Sequence, residues 1–139
     1  MIPGPHAQRD RRRLTVWWII WAAMLINLVG LHLVLGRAPM PTSPTRDDAL
    51  INLVGLVPLF VSIIIRWLVL PRYHDLVRAF PMFIVGLSLA EGCGILGIFL
   101  GGPFRDDVFL LGALGIAQFV PVFAKKIFEP TPTDYIPNN

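Results

Sequence analysis

Four apolar runs constrain this chain more than any other feature. They are Leu14 to Leu35, Ala49 to Leu70, Phe80 to Leu100 and Val108 to Ala124. A helix that crosses a membrane needs roughly 20 mostly apolar residues, because each residue rises about 1.5 Å and the hydrocarbon core is about 30 Å thick. The first three runs meet that length and the fourth, at 17 residues, is the shortest. The expectation is an all-α membrane protein, a four-transmembrane-helix bundle made of two helical hairpins. Residues 1–13 form a basic tail, 14–124 a single transmembrane domain (14–35, 49–70, 80–100, 108–124), and 125–139 a Pro-rich tail expected to be disordered. Composition agrees: 55% of the 139 residues are apolar and only 15% are charged, too few charges to cover a soluble domain of this size. No tail or loop exceeds 15 residues, so no soluble catalytic domain fits outside the runs.

Orientation follows from lysine and arginine bias across short loops. One side holds nine basic residues: Arg9, Arg11, Arg12, Arg13, Arg66, Arg72, Arg78, Lys125 and Lys126. The other holds three: Arg37, Arg46 and Arg105. The reading is a plasma (inner) membrane protein with both termini cytoplasmic. Arg11, Arg12, Arg13, Arg66, Arg72, Arg78, Lys125 and Lys126 set topology and meet anionic lipid at the interface; these charges call for no nucleic acid. The first run is too long for a signal-peptide core and no small-residue cleavage site follows it, so it is read as a retained helix. Trp17, Trp18, Trp21, Trp67 and Tyr73 read as an aromatic belt at headgroup level.

Prolines punctuate the runs. Pro71 marks the end of the second, whereas Pro58 and Pro121 lie within runs and predict kinks. The tripeptides Arg46-Asp47-Asp48 and Arg105-Asp106-Asp107 precede the second and fourth runs. Upstream of them, with outer loops of unequal length, the two hairpins place Asn27 opposite Glu91 and Gly30 opposite Gly94, a parallel internal repeat.

No catalytic constellation is present, so an enzyme is not expected. Cys93 is the one cysteine and His6, His32 and His74 fall in separate segments; no metal site or cofactor is implied. His32 is read as reaching water near the outer end of the first helix. What stands out is Glu91, the one acidic residue within any run. A charge at the bilayer centre costs on the order of 2.5–3.5 kcal/mol. Glu91 lies roughly 13–14 Å from the outer end of its helix, and Asn27 and Gln118 lie at about 12 and 15 Å from theirs. Gly86, Ala90, Gly94, Gly97 and Gly101 form a small-residue stripe on the third helix, and Gly112 and Gly115 begin another on the fourth. Such faces let backbones approach closely. The expectation is tight packing of helices three and four with Glu91 near Gln118. Two roles stay open for Glu91. It is a protonated packing residue hydrogen-bonded to Gln118, Asn27 or a carbonyl, or it binds and releases a proton or Na⁺ with Asn27 and Gln118 as neighbours.

The stretch Arg72 to Leu100 resembles the carboxylate-bearing helix of the rotary ATP synthase proteolipid, subunit c. A polar Arg-containing loop leads into a helix whose MFIVGLSLAE run ends on the glutamate. The resemblance implies that Glu91 is an ion-binding carboxylate in a helical hairpin. The helix before it departs from the family's repeated glycine pattern, with Gly55 alone and Pro58 inside. Absent that role, the chain reads as a non-catalytic accessory or scaffold subunit. Its partners are the bilayer and either further copies of itself or a membrane complex.

Overall fold

The computed structural model describes residues 5–36 and 53–122. Among them the regular structure is all helical, with no strand. Helix α1 runs Pro5–Leu35. Helix α2 comprises an α-helical stretch Val57–Ile64, a π turn Ile65–Val69 and a 3-10 turn Leu70–Arg72. Helix α3 runs Leu76–Leu100 and α4 runs Arg105–Ala117. Three helical segments are long and apolar enough to cross a membrane, Arg12–Leu35, Leu53–Arg72 and Val77–Leu100. Lys125, Lys126, the loop from Arg37 to Asp48, the start of the second run and the Pro-rich tail lie outside the described residues, as does the side chain of Arg11.

Helix α3 is the hub. In its spanning window 44% of residues are buried, against 6% for α1. Contacts fix the directions. Trp17 meets Phe83 and Leu28 meets Gly94, so α1 runs parallel to α3. Ile65 meets Gly86 and Leu59 meets Gly115, while Val108 meets Gly97 and Phe119 meets Gly86. Helices α2 and α4 therefore run antiparallel to α3. This places Arg12, Arg13, Arg72 and Arg78 at one end of the bundle, the basic end, and Gly36, Arg105 and Asp106 at the other.

The helix ends have local causes. Asp75 caps α3, its carboxylate accepting from the Val77 N–H at 3.0 Å, and so α3 begins four residues before the apolar run does. Satisfying such an orphan donor is worth about 1 kcal/mol. Pro58 sits in the first turn of the Val57–Ile64 stretch, where its missing N–H costs nothing; the helical residues 53–55 lie ahead of it across a turn at Leu56, so the segment is interrupted there. Pro71 ends α2: its ring excludes the carbonyl four residues back, and the chain widens into the π turn ahead of it.

The fourth run differs most from expectation. The helix starts at Arg105 and stops at Ala117, with a turn at Gln118 and Phe119. Pro121 is the reason. It donates no hydrogen bond, its ring clashes with the carbonyl of Ala117, and it pushes Val120 out of the helical region. The chain tightens accordingly, with Phe119 N bonded to Ile116 O and Val120 N to Ala117 O. Thirteen residues make a helix of about 20 Å, short of a full crossing.

Two tryptophans also leave their expected place. Trp17 is 2% exposed, stacked on Phe83 at 4.4 Å and tilted against Phe80 at 5.8 Å. Trp21 turns inward to α4. Only Trp18 and Trp67 are exposed on the surface as a belt requires. A 3.6-residue period puts Trp17 and Trp21 on the stripe that faces α3 and α4, and apolar contact there outweighs the headgroup preference.

Candidate functional site: a polar pair and a capped helix break

Small residues build the frame. A Cβ placed on Gly112 would come within 2.5 Å of Gly94 Cα and N, and one on Gly97 within 2.8 Å of Val108 Cβ. A Cβ on Gly115 would come within 2.6 Å of Leu59 Cδ1, and one on Gly86 within 2.5 Å of the Phe119 ring. At Gly101 a side chain would meet the carbonyl of Gly97. Within the stripe, Gly94 thus meets Gly112 with main chain nearly on main chain and Ala90 meets Gly115, while Gly86 and Gly97 make room for Phe119 and Val108.

Glu91 follows Ala90 by one residue, so it lies about 100° around α3 from that seam. It points to the α1 side. Asn27 Nδ2 donates to Glu91 Oε1 at 2.8 Å. Asn27 is exposed and Glu91 half-buried, so this pair sits at mid-depth on a face the four helices leave open.

The structure does not bring Gln118 to Glu91. Gly115 lies against Ala90 and Phe119 against Gly86, which sets Gln118 about one turn nearer the basic end, roughly 6 Å along α3. Gln118 lines a cavity of about 160 Å³ between α2 and α4, with Leu59, Ile63, Leu111, Leu114 and Gly115. Its side-chain nitrogen is buried without a hydrogen-bond partner.

A second polar cluster closes the end of α4, and nothing in the sequence reading anticipates it. The break at Gln118 lies level with Gly86, ten residues into α3 and about 15 Å from its basic end. Carbonyls freed at that depth cost several kcal/mol if left unpaired. Two side chains supply donors. Arg66 Nε donates to Gln118 O at 2.7 Å, and Trp21 Nε1 donates to Ile116 O at 2.9 Å. A guanidinium at a helix C-terminus also faces the negative end of the helix dipole. Arg66 is therefore turned inward, besides lying over the Trp67 ring at 5.2 Å; it does not simply extend to the interface. Close by, Ser62, fully buried, donates to Gly86 O at 2.8 Å. The signal for this cluster was the pairing of Pro121 with an arginine and a tryptophan on neighbouring runs. A helix end in an apolar interior needs donors from elsewhere.

At the opposite end, Arg105 Nη1 donates to Gly36 O at 2.7 Å, holding the C-terminus of α1. His32 stacks on Phe109 at 3.8 Å, with Nε2 3.7 Å from Asp106. It is packed against α4, and its Nδ1 is buried with no hydrogen-bond partner.

Chemically, the site offers a carboxyl group beside an amide donor, and a guanidinium on a helix end. Among the described residues, no group of three or more His, Cys, Asp or Glu side chains converges on one point. Comparison with protein-family models, with curated proteins and with solved structures gave no match.

Proposed function

We propose that this chain is a small multi-pass protein of the plasma (inner) membrane that works by helix–helix association, as a non-catalytic accessory or scaffold subunit. In this reading it crosses four times with both termini cytoplasmic, and the segment 108–124 makes the fourth crossing as a helix broken at Gln118. The consistent placement of Arg12, Arg13, Arg72 and Arg78 at one end supports that orientation under the positive-inside bias.

The observation that carries the proposal is the Asn27–Glu91 pair. A carboxyl and an amide open to hydrocarbon at mid-depth are costly. Their mutual hydrogen bond offsets only part of that cost. A neighbouring helix, from a second copy or from a membrane-complex partner, would cover the pair and bond its remaining polar atoms. Glu91 then serves as protonated polar packing at the edge of the bundle, and the 6% burial of α1 leaves room for such a neighbour on the same side.

Purification in mild detergent tests this. The wild-type particle is expected to exceed the monomer mass or to carry a partner, and Asn27→Leu with Glu91→Leu to reduce it to the monomer. A strictly monomeric wild-type particle with no partner overturns the proposal.

The same open position favours a second reading, proton or Na⁺ binding through Glu91 in a proteolipid-like hairpin, since an ion-carrying carboxyl must be reachable. In that case Glu91→Gln abolishes a proton or Na⁺ flux in proteoliposomes without changing the association state. Unchanged flux removes this alternative.

A further inference from the structure

The basic end of the bundle contains a cavity that neither the Glu91 pair nor the α4 break uses. It lies between the first turns of the α1 span and the start of α3. Its volume is about 210 Å³ and it is lined by Arg13, Val16, Trp17, Val77 and Phe80. The walls are apolar apart from Arg13. Trp17 is held rigidly there, stacked on Phe83 and against Phe80, and Val16 and Val77 present exposed faces at the mouth. Exposed Arg12 adjoins Arg13 in sequence, and exposed Arg78 adjoins Val77.

We propose that this cavity is a binding site for one anionic phospholipid. An acyl chain fills the apolar slot between α1 and α3, and the phosphate meets the Arg13 guanidinium, with Arg12 and Arg78 adding to the local positive field. Three observations converge on that ligand. The slot opens at the depth where a headgroup sits above its chains, because it lies at the first residues of both spanning windows, Arg12–Leu35 and Val77–Leu100. Its interior suits a hydrocarbon chain, and its rim is cationic. Basic pockets between membrane helices take anionic headgroups, and arginine pairs with phosphate in a two-pronged geometry. A zwitterionic lipid fills the slot equally well but brings its own ammonium group toward the three arginines. The proposed site depends on the charge and position of Arg13 and is independent of whether Glu91 packs or carries an ion. It rests on the membrane placement of α1 and α3.

The test is competition in native mass spectrometry. Purified full-length protein in detergent is given phosphatidylglycerol and phosphatidylcholine of identical acyl chains in equal amounts. The expected result is one retained phosphatidylglycerol per chain in preference to phosphatidylcholine. Arg13→Gln lowers that preference about fivefold, the equivalent of about 1 kcal/mol per basic residue, and Arg13→Lys retains most of it. Val77→Phe, which fills the slot and keeps every charge, loses the retained lipid of either kind. Equal retention of the two lipids overturns the proposal, as does a preference unchanged by Arg13→Gln. Failure of the chain to retain any lipid overturns it together with the membrane placement on which it rests.

Discussion

Replacing Gly112 by alanine tests the packing on which the whole arrangement depends. The added Cβ would sit 2.5 Å from both Gly94 Cα and Gly94 N, and 3.2 Å from Ala90 O. These are backbone atoms of α3, which cannot rotate away as a side-chain tip can. Ordinary contact begins near 3.4 Å, so α3 and α4 must separate by about 1 Å at this point. That separation also loosens Val108 against Gly97 and Leu59 against Gly115, one or two turns away in each direction. Overpacking of this kind costs about 1–3 kcal/mol, and a rigid backbone contact belongs at the upper end. Alanine returns about 1 kcal/mol through its better helix propensity. The net expectation is destabilisation by about 2 kcal/mol, a factor of roughly 30 in the folded-to-unfolded ratio. Gly92 provides the control, since a Cβ there meets nothing within 4 Å. Gly92→Ala should be neutral or stabilising by up to about 1 kcal/mol. Reversible unfolding in mixed micelles with increasing dodecyl sulfate, followed by tryptophan fluorescence, measures both. Equal stability of the two variants would refute the close α3–α4 seam.

Other contacts make their own predictions. Trp21→Phe keeps most of the ring but removes the donor to Ile116 O; it should cost about 1 kcal/mol in the same unfolding assay, with no loss if that carbonyl finds another donor. Ser62→Ala deletes a buried bond to Gly86 O, and membrane-helix hydrogen bonds average about 0.6 kcal/mol with a maximum near 1.7, so a loss within that range is expected. Asp75→Ala removes the α3 cap and should lower stability by about 0.5–2 kcal/mol, while Asp75→Asn, which can still accept from the Val77 N–H, should stay near wild type.

Much of the architecture was legible in the chain because crossing a membrane is nearly a one-dimensional problem. Apolar length pointed to four crossings, of which three segments form helices long and apolar enough to cross a membrane, and glycine spacing marked the faces by which α3 and α4 meet. Charge bias sorted Arg12, Arg13, Arg72 and Arg78 to one end before any contact was known. The same reasoning was weaker wherever a residue's partner lay on another helix. The kink that Pro121 predicts takes the form of a break at Gln118 and Phe119, and nothing in a linear pattern says that the freed carbonyls are satisfied from outside, by Arg66 and Trp21. Trp17 and Trp21 looked like interface anchors because their depth was visible and their direction was not.

The sequence by itself determined which segments are helical and which small residues allow close approach, since apolar length, proline chemistry and the 3.6-residue period act within each segment. Only the tertiary structure decided the partners. Successive residues turn about 100° around a helix, so one position separates Ala90, set into the α4 seam, from Glu91, which faces α1 and bonds Asn27 instead of Gln118. By the same rotation Arg66 and Trp21 are aimed at the broken end of α4, where the carbonyls of Gln118 and Ile116 need donors from another helix.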